Sequence, residues 1–306
     1  MNVVSLFSGA GGLDLGFIQA GHNVLWANDL YADAVATYKN NIGEHIVYAD
    51  INDIDSKDIP DCDIVIGGFP CQGFSVANTK RNTSDERNIL YKQLLRVIND
   101  KHPKFFLAEN VKGILSLGRG DVFKMIMDDF RSLDYAVQYK VLNAADYGVP
   151  QKRERVIIVG VRNDLDFKFN YPDPLYNKNG NDGKRKWVSV KEAIGSLPDP
   201  DLPNNLPNHV YSKYKVEYSI YIGHRKTNPG APAPTITARG DSKGGVVVLP
   251  HYNGKRRMTC RELATIQTFP LNFTFFGTNT SVYRQIGNAV PVRLAYCIAK
   301  QFNLYK

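Results

Sequence analysis

One cysteine of the chain, Cys71, lies where a nucleophile could act. The apolar run Asp63–Gly68 ends in two glycines, Pro70 and Cys71 follow, and a long polar stretch then extends to Ser84. A thiolate attacks well once positive charge or helix N-termini lower its pKa below about 8.5. The position predicts a reactive thiol at the end of a buried strand, at the mouth of a polar loop.

A carboxyl group and a guanidinium are predicted at the same edge. Glu109 ends the apolar run "FFLAEN", and Arg155 opens "RVIIVGV" after the basic "QKRE". Together with a methyl donor, these groups suit one difficult reaction, because carbon 5 of cytosine is a poor nucleophile. Addition of the Cys71 thiolate to carbon 6 would make the ring an enamine whose carbon 5 can attack a methyl group. Glu109 would hold or protonate N3, and Arg155 would neutralise charge on O2.

A glycine-rich turn predicts a nucleoside site. The strand "VVSLF" runs into "SGAGGLDLGF", whose glycines allow a tight turn and close approach of a ligand. Asp14 stands where a dinucleotide fingerprint needs glycine, so a phosphate ligand is disfavoured. Asp29 and Asp50 end the next two strands, where carboxylates can accept ribose hydroxyls. The pattern suits S-adenosylmethionine, with a plain packing turn as the alternative.

The elements that must position these residues alternate along the first half of the chain. Continuous apolar runs separated by amphipathic segments predict an α/β fold with helices on both faces of the sheet. The last two strands are too close together for a crossover helix, so we expect them to pair antiparallel. Strands are predicted at 3–7, 23–28, 45–49, 62–68, 104–110, 135–142 and 155–161, and helices at 12–21, 31–41, 86–100, 119–133 and 289–303.

The second half differs in texture and charge. From about residue 164 the chain is rich in Pro, Asn, Asp and Gly, which predicts loops with short strands such as 244–250. Thr259 and Glu262 have the spacing of a helix capping box. The net charge of the chain is +8, and its excess lies here, since residues 162–257 carry 16 Lys and Arg against 9 Asp and Glu. A polyanionic partner is indicated, with a merely solvated basic surface as the alternative.

Composition excludes several classes of protein. At 306 residues and 43% hydrophobic the chain can bury a sizeable core. Its four cysteines form no C-x-x-C pair and no histidine has zinc-ligand spacing, so no disulfide framework or metal site is expected. No leader pattern or apolar run of about 18 residues is visible. We therefore expect a cytoplasmic protein that does not enter a membrane.

Six motifs together resemble the C5-cytosine DNA methyltransferases. In order they are "FSGAGG" (7–12), "GGFPCQGFS" (67–75), "ENV" (109–111), "QKRER" (151–155), "RRMTCRELATIQTFP" (256–270) and "QIGNAVP" (285–291). The resemblance covers nearly all of the chain except its middle. One departure is Asn88, which stands where the family pattern has glycine in "DERNILY" and puts the local loop geometry in doubt.

The resemblance implies a Rossmann-like methyltransferase fold in three parts. Residues 1–164 would be the catalytic and cofactor-binding domain, 165–280 a loop-rich target-recognition domain, and 281–306 a segment that returns to the first. Cys71, Glu109 and Arg155 would be catalytic, and Arg153 would support them. The implied S-adenosylmethionine residues are Phe7, Gly9, Gly11, Gly12, Leu13, Asp29, Leu30, Asp50, Ile51, Gly68, Pro70, Leu90, Asn288, Ala289 and Val290.

The resemblance also implies double-stranded DNA as partner. A base inside a duplex hides both ring faces, so the target must be flipped out. The stretch 72–84 would then be a lid with Gly73 as hinge. Arg239 would read a guanine edge, although any single basic residue could equally be a solvated surface charge. The implied DNA-binding residues are Gln72, Ser75, Lys80, Arg81, Arg225, Thr235, Thr237 and Arg239.

Two other functions stay open on sequence. One is the same chemistry on transfer RNA, although the Cys-Phe-Thr insert of that branch is absent. The other is a non-catalytic DNA-binding member of the fold, although Cys71, Glu109, Gly9 and Gly11 are all present. A compact chain without a regulatory domain is typical of a monomeric prokaryotic or phage modification enzyme, with a restriction endonuclease as an optional separate partner.

Overall fold

The computed structural model describes residues 1–70, 90–220, 224–238 and 248–305. Within these ranges the main sheet has seven strands, and a two-stranded ribbon lies apart from it. The strands are β1 (Asn2–Leu6), β2 (Asn23–Asp29), β3 (Ile46–Tyr48), β4 (Ile64–Gly67), β5 (Phe105–Val111), β6 (Tyr135–Asn143) and β7 (Glu154–Arg162), with β8 (Tyr176–Asn177) and β9 (Arg185–Lys186) forming the ribbon.

The described helices confirm the predicted alternation in the first half of the chain. The structure gives α1 (Gly12–Gln19), α2 (Ala32–Asn41), α3 (Leu90–Lys101), α4 (Asp121–Arg131), α5 (Val190–Ile194), α6 (Cys260–Ile266), α7 (Asn279–Asn288) and α8 (Val292–Phe302). Short 3₁₀ segments lie at Ile51–Asp53, Ser56–Asp58, Lys112–Gly120 and Ala144–Tyr147. None of the helices in the described part of the chain is long and apolar enough to cross a membrane.

The order of the sheet is β3-β2-β1-β4-β5-β7-β6. The first five of these strands run parallel, so their carboxyl ends meet at one edge. β7 runs antiparallel to both β5 and β6, as the short connection between the last two strands predicted. Because β7 is reversed, its first residues lie at the carboxyl edge, and Arg155 pairs with Val111. The reversal brings the guanidinium of Arg155 to the edge that the parallel strands define.

The sheet is covered on both faces, as expected for continuous apolar strands. Phe105 faces α1 and α8, where its ring lies 5.4 Å from that of Phe302. The next residue, Phe106, faces α3 and α4 and stacks on Phe130 at 4.8 Å. This alternation along β5 divides the core around the main sheet into two layers and leaves the strand with no exposed face.

Among the described residues, a third apolar cluster contains no strand of the main sheet. α5, α6 and α7 contribute Ile194, Leu263 and Ile286, and Ala10 of the glycine-rich turn joins them. The capping box of Thr259 and Glu262 is confirmed, since each accepts from the backbone N–H of the other. The cluster therefore connects the C-terminal elements directly to the turn that follows β1.

The prediction of one last helix over 289–303 was wrong at its start. The structure has two helices, α7 and α8, and Ala289 between them is extended (φ −60°, ψ 144°). The physical reason is Pro291, since the residue before a proline is biased away from helix and a proline N–H cannot continue one. α7 escaped prediction because its sequence is short, polar and interrupted by Gly287.

The loop-rich character of the middle region is confirmed. Its described residues contain only β8, β9 and α5 between β7 and α6. Buried arginines stabilise the loops instead: Arg257 donates to the carbonyl groups of Val248 and Lys215, and Arg261 to those of Pro207, Pro270 and Phe273. The strand predicted over 244–250 lies largely outside the described residues, and Pro250 makes an isolated bridge to Arg257.

Candidate active site

A cavity of about 1110 Å³ lies at the carboxyl edge of the sheet. The ends of β1, β2, β4 and β5 and the start of β7 surround it, together with residues 235–238 and 287–290. It collects most of the residues that the sequence assigned to catalysis and cofactor binding. Its walls include Phe7, Gly9, Gly12, Leu13, Asp29, Leu30, Asp50, Ile51, Gly68, Pro70, Leu90, Glu109, Arg153, Arg155, Thr235, Thr237, Asn288, Ala289 and Val290.

The turn after β1 has a backbone that favours glycine. Gly9 and Gly11 have φ of +56° and +81°, and Phe7 shares this left-handed conformation at +56°. A Cβ at Gly9 would meet no atom within 4 Å, so a ligand can approach this part of the backbone closely. Gly11 is different: it packs behind the turn against Tyr38 and is not part of the cavity wall.

Asp29 fixes the turn from the neighbouring strand. One carboxylate oxygen accepts from the Gly9 N–H at 2.8 Å and the other from the Tyr31 N–H at 2.9 Å. Burial raises the pKa of Asp29, while these hydrogen bonds oppose that effect. Each oxygen retains a lone pair, and the side chain lines the cavity, so Asp29 can still accept from a ligand hydroxyl.

Gly12 allows the C-terminal segment to close over the turn. A Cβ here would lie 2.5 Å from the carbonyl oxygen of Val290 and 3.1 Å from the Cβ of Ala289. The turn and the 288–290 segment are therefore in direct contact across one end of the cavity. Apolar side chains complete this end, since Leu30 is half-exposed beside it and Ile51 is buried.

These features fit S-adenosylmethionine. The turn offers exposed backbone without a Cβ at Gly9, Asp29 and Asp50 supply carboxylates at two strand ends, and Phe7 and Leu30 supply apolar surface for a base. Neither a phosphate-gripping lysine nor a glycine at position 14 is present. Within the described part of the chain, no cluster of three His, Cys, Asp or Glu side chains could hold a metal ion.

The opposite end of the cavity carries an ion pair. Arg155 Nε lies 2.7 Å from the Glu109 carboxylate, and both side chains are nearly buried. Arg155 also donates to the carbonyl group of Glu154 at 2.8 Å. Gly68 gives the carboxylate room, because a Cβ there would lie 3.1 Å from Glu109 Oε2. The pair therefore presents a carboxylate that accepts hydrogen bonds and a guanidinium that donates them to the same part of the cavity.

The segment that leads to Cys71 is tied to this pair. The Asn110 side chain donates to the carbonyl group of Phe69 at 3.0 Å, and Asn110 directly follows Glu109. Pro70 lines the cavity next to Gly68. Cys71 itself lies outside the described residues, as do Gln72, Gly73, Ser75, Lys80, Arg81, Asn88 and Arg239. Asn110 was quoted in a motif but not assigned a role from sequence.

Arg153 joins three segments instead of facing open space. It is 1% exposed and donates to the carbonyl groups of Ile236 (2.9 Å), Gly287 (2.7 Å) and Ala289 (3.0 Å). Burial lowers its pKa well below the usual arginine range. Arg153 therefore fixes both the 236–237 and the 287–289 backbones, and its role in supporting catalysis stays a prediction from the resemblance.

Two glutamines extend the same junction, and sequence reasoning missed them. Gln151 accepts from the Ile236 N–H at 2.9 Å and donates to Gln267 at 2.8 Å. Gln267 in turn donates to the Ile286 carbonyl group at 2.7 Å. Each glutamine lies inside a family motif, and this position could have indicated that its side chain has a role. The spacing alone could not reveal that the two side chains meet.

The predicted DNA-binding residues that are described lie in three different environments. Thr235 donates to the Lys152 carbonyl group at 2.8 Å, whereas the Thr237 hydroxyl is buried and has no hydrogen-bond partner among the described residues. Arg225 is exposed, donates to the Ile220 carbonyl group and is not part of the cavity wall. The structure also adds exposed Arg284 of α7 to the wall, which the sequence did not suggest.

Comparison with known proteins identifies the family. The family model for C-5 cytosine-specific DNA methylase matches residues 1–303. The chain belongs to this family. It is 41% identical to the Type II methyltransferase M.NgoFVII of Neisseria gonorrhoeae over 97% of this chain and 85% of that protein. It is 38% identical to the Type II methyltransferase M.MthTI of Methanothermobacter thermautotrophicus over 98% and 96%.

Solved structures agree with this family. The fold is similar to a DNA modification methyltransferase encoded within a prophage (E. coli), with a TM-score of 0.78 and 26% identity over 100% of this chain and 99% of that one. The S. pombe Dnmt2 methyltransferase shares the fold at a TM-score of 0.72 and 21% identity over 99% of each chain. The predicted fold class is thereby confirmed. So are the activity, DNA cytosine-5 methylation, and the cofactor, S-adenosylmethionine.

Proposed function

We propose that the cavity receives a cytosine flipped out of a specific duplex sequence and methylates it at carbon 5. The buried Arg155–Glu109 pair in the cavity wall, beside the segment that leads to Cys71, is the observation that carries this assignment. Carboxylate and guanidinium together match the N3, exocyclic amine and O2 edge of cytosine. Both side chains are nearly buried, which limits competition from water for these groups.

The steps follow from the chemistry of the ring. Cys71 adds through sulfur to carbon 6 while Glu109 stabilises N3, and Arg155 neutralises charge on O2. S-adenosylmethionine, when bound, supplies an electrophilic methyl group. Carbon 5 takes the methyl group with the electron pair released by the addition. The carbon-5 proton then passes to solvent, the bond between carbon 6 and the Cys71 sulfur breaks, and the ring double bond is restored as Cys71 leaves as the thiolate.

The cofactor end of the cavity has a separate set of proposed roles. Phe7 and Leu30 contact the adenine, Asp29 accepts the ribose hydroxyls, and Asp50 with Ile51 reads the adenine edge. Direct contact between Gly12 and Val290 supports a role for the 288–290 segment in closing this end. The remaining proposed contacts are Gly9, Leu13, Gly68, Pro70, Leu90, Asn288 and Ala289, whereas Gly11, predicted as a contact from sequence, packs behind the turn instead.

We propose that residues 165–280 read the DNA sequence and that 1–164 and 281–306 form the catalytic domain. The charge of the middle region supports this division, and buried arginines rather than strands stabilise its loops. Thr235, Thr237, Arg225 and Arg239 are the proposed contacts in the reader. Gln72, Ser75, Lys80 and Arg81 are proposed to close over the flipped base. The Type II names of the relatives support an enzyme of a restriction-modification system, and we propose that it acts as a cytoplasmic monomer.

The reaction is tested by incubating the protein with tritiated S-adenosylmethionine and either mixed-sequence duplex DNA or transfer RNA. We expect label in 5-methylcytosine of the duplex only, and bisulfite sequencing of plasmid from expressing cells gives the sequence context. Label in transfer RNA but not in DNA would overturn the substrate assignment.

The nucleophile is tested with a matched pair of cysteines. Cys71→Ser should abolish transfer, and duplexes containing 5-fluorocytosine should become covalently attached to the wild-type protein at Cys71. Cys62→Ser is the control, because Cys62 precedes the same strand at the other edge of the sheet and burial raises its thiol pKa to about 12. Full activity of Cys71→Ser would exclude the proposed mechanism.

A further inference from the structure

A buried carboxylate lies behind the glycine-rich turn and has no part in the mechanism above. Asp14, in the first turn of α1, is 0% exposed. It accepts hydrogen bonds from the Ser5 hydroxyl at 2.8 Å and the Tyr38 hydroxyl at 2.9 Å. Asp14 occupies the position where a dinucleotide fingerprint has glycine. Its side chain therefore has a role, accepting these hydrogen bonds, that a glycine at this position could not have.

Both branches of this hydrogen-bond network reach the turn. The Ser5 hydroxyl accepts from Ser8 at 2.9 Å, and Ser8 begins the turn, where its carbonyl group accepts from the Gly11 N–H at 2.9 Å. On the other branch, the Tyr38 ring packs behind Gly11, where a Cβ would lie 2.9 Å from a ring carbon. Asp14 therefore fixes the turn at its start through Ser8 and at its back through Tyr38.

The carboxylate is held at a cost to folding. Burial raises the pKa of Asp14 to about 6, and no cation contributes to the shift, so only hydrogen bonds offset the desolvation of its charge. Because the pKa of the folded state is raised, the related stability is fully present at low pH and is lost as the pH rises through about 6. At neutral pH a neutral residue of the same shape would suit the fold better than Asp14 does.

We propose that ionised Asp14 is a positioning residue that sets the backbone of the turn for S-adenosylmethionine, so that its protonation weakens cofactor binding. The proposal rests on the proposed function, in which this turn contacts the cofactor. Ionised Asp14 is an acceptor to which Ser5 and Tyr38 both donate. Protonation places a hydrogen on one carboxyl oxygen, and where this hydrogen points at the Ser5 or Tyr38 oxygen, that hydroxyl can no longer donate to Asp14 and turns to another acceptor.

When Asp14 is protonated, the Tyr38 hydroxyl can donate its hydrogen bond to another acceptor. His45 Nε2 lies 3.0 Å from the Tyr38 oxygen, and burial lowers the pKa of His45, which favours a neutral ring that can accept. Burial and the charge of Asp14 raise the pKa of Tyr38, so the phenol keeps its proton and stays a donor. Across the turn, Asp29 is the other titratable group connected to this backbone, through Gly9.

The experiment measures the Kd of S-adenosylhomocysteine by calorimetry between pH 5 and 8, together with kcat and KM. For the wild-type protein we expect Kd to rise about tenfold towards pH 5, the equivalent of one or two lost hydrogen bonds. Asp14→Asn should show the weak value at every pH, with a raised cofactor KM, a nearly unchanged kcat at saturation, and a Tm at pH 8 no lower than that of wild type. A lowered Tm accompanied by a proportional loss of all activity would assign Asp14 a structural role only.

Three further variants separate the alternatives. Tyr38→Phe keeps the ring behind Gly11 and removes one donor, so its Kd at pH 8 should rise severalfold even if Asp14→Asn does not fold. In His45→Gln the Kd should still depend on pH. If this dependence is lost in His45→Gln but remains in Asp14→Asn, the proposal is overturned. Asp63→Asn, at the start of β4, should change no Kd. No cofactor binding by the wild type at any pH would refute the proposed function, whereas normal binding by Asp14→Asn refutes this inference alone.

Discussion

Arg155 Nε and the Glu109 carboxylate are 2.7 Å apart, and each is the counterion of the other in the cavity wall, where both side chains are nearly buried. They come from β5 and β7, neighbouring strands that run in opposite directions. The pair is therefore set by the register of the sheet as well as by the side chains. Removal of one partner leaves the other as a buried, unpaired charge, whereas removal of both leaves none. Comparison of single and double variants can therefore separate the effect on stability from the effect on catalysis.

For Glu109→Gln we expect a fall in kcat of at least about 100-fold, because a group that stabilises the reacting ring is lost. Breaking the buried pair should also lower the free energy of unfolding by about 3–5 kcal/mol. The double variant Glu109→Gln, Arg155→Gln should recover much of the stability and none of the activity. Denaturant unfolding and single-turnover kinetics measure the two effects, and a double variant with restored activity would contradict the assignment.

Gly12→Ala tests the contact between the turn and the C-terminal segment. The added Cβ would lie 2.5 Å from the Val290 carbonyl oxygen, so the two segments must separate. We expect a higher KM for the cofactor and a stability loss of about 1–3 kcal/mol, typical of overpacking. Gly113→Ala is the matched control, since a Cβ there meets no atom within 4 Å. Equal effects of the two substitutions would show that close packing at Gly12 is unimportant.

Arg153→Met should destabilise the protein and disorder the junction of the cavity walls. Three carbonyl groups would lose their buried donor, which predicts a loss of about 3 kcal/mol or more. We expect both cofactor and DNA binding to weaken, because Ile236 and Ala289 lie on different walls. Arg131→Met, which removes an exposed pair with Asp128, is the control. Thermal unfolding and separate titrations with cofactor and duplex check this, and a defect confined to one ligand would argue against a shared junction.

Thr237→Val and Thr235→Val form a matched pair. The Thr237 hydroxyl is buried without a partner among the described residues, so its removal should raise stability by about 1 kcal/mol. Thr235→Val should lower stability by a similar amount, because it removes the hydrogen bond to Lys152. If DNA supplies the missing partner of Thr237, only Thr237→Val should also weaken duplex binding. A Thr237→Val protein with lower Tm and wild-type DNA affinity would refute this.

The sequence predicted the catalytic half well, because its signals are local. Apolar runs such as the one ending at Gly67 indicate buried strands, and acids at the ends of β2 and β5 must lie along the same edge of the sheet because both strands run in the same direction. The capping box at Thr259 is equally local. These features need no knowledge of distant contacts.

The rest depends on contacts between distant segments. Nothing in the spacing of Arg153 indicates that it donates to residues 236, 287 and 289, and the meeting of Gln151 with Gln267 is equally hidden. α7 was missed because tertiary packing of Ile286, more than helix propensity, determines that segment. The network around Asp14 was invisible for the same reason, since Tyr38 reaches it from another helix.

Residues 150–153, which lead into β7, form a strip that binds two other parts of the chain. Pro150 and Lys152 exchange backbone hydrogen bonds with Ala233, while Arg153 binds the backbone ahead of α8. An engineered hybrid with altered sequence preference would thus keep this strip and the 233–237 segment that binds it, and would exchange only the loops outside them. Splice points within residues 150–153 would instead break the hydrogen bonds that hold the proposed reader against the proposed catalytic part.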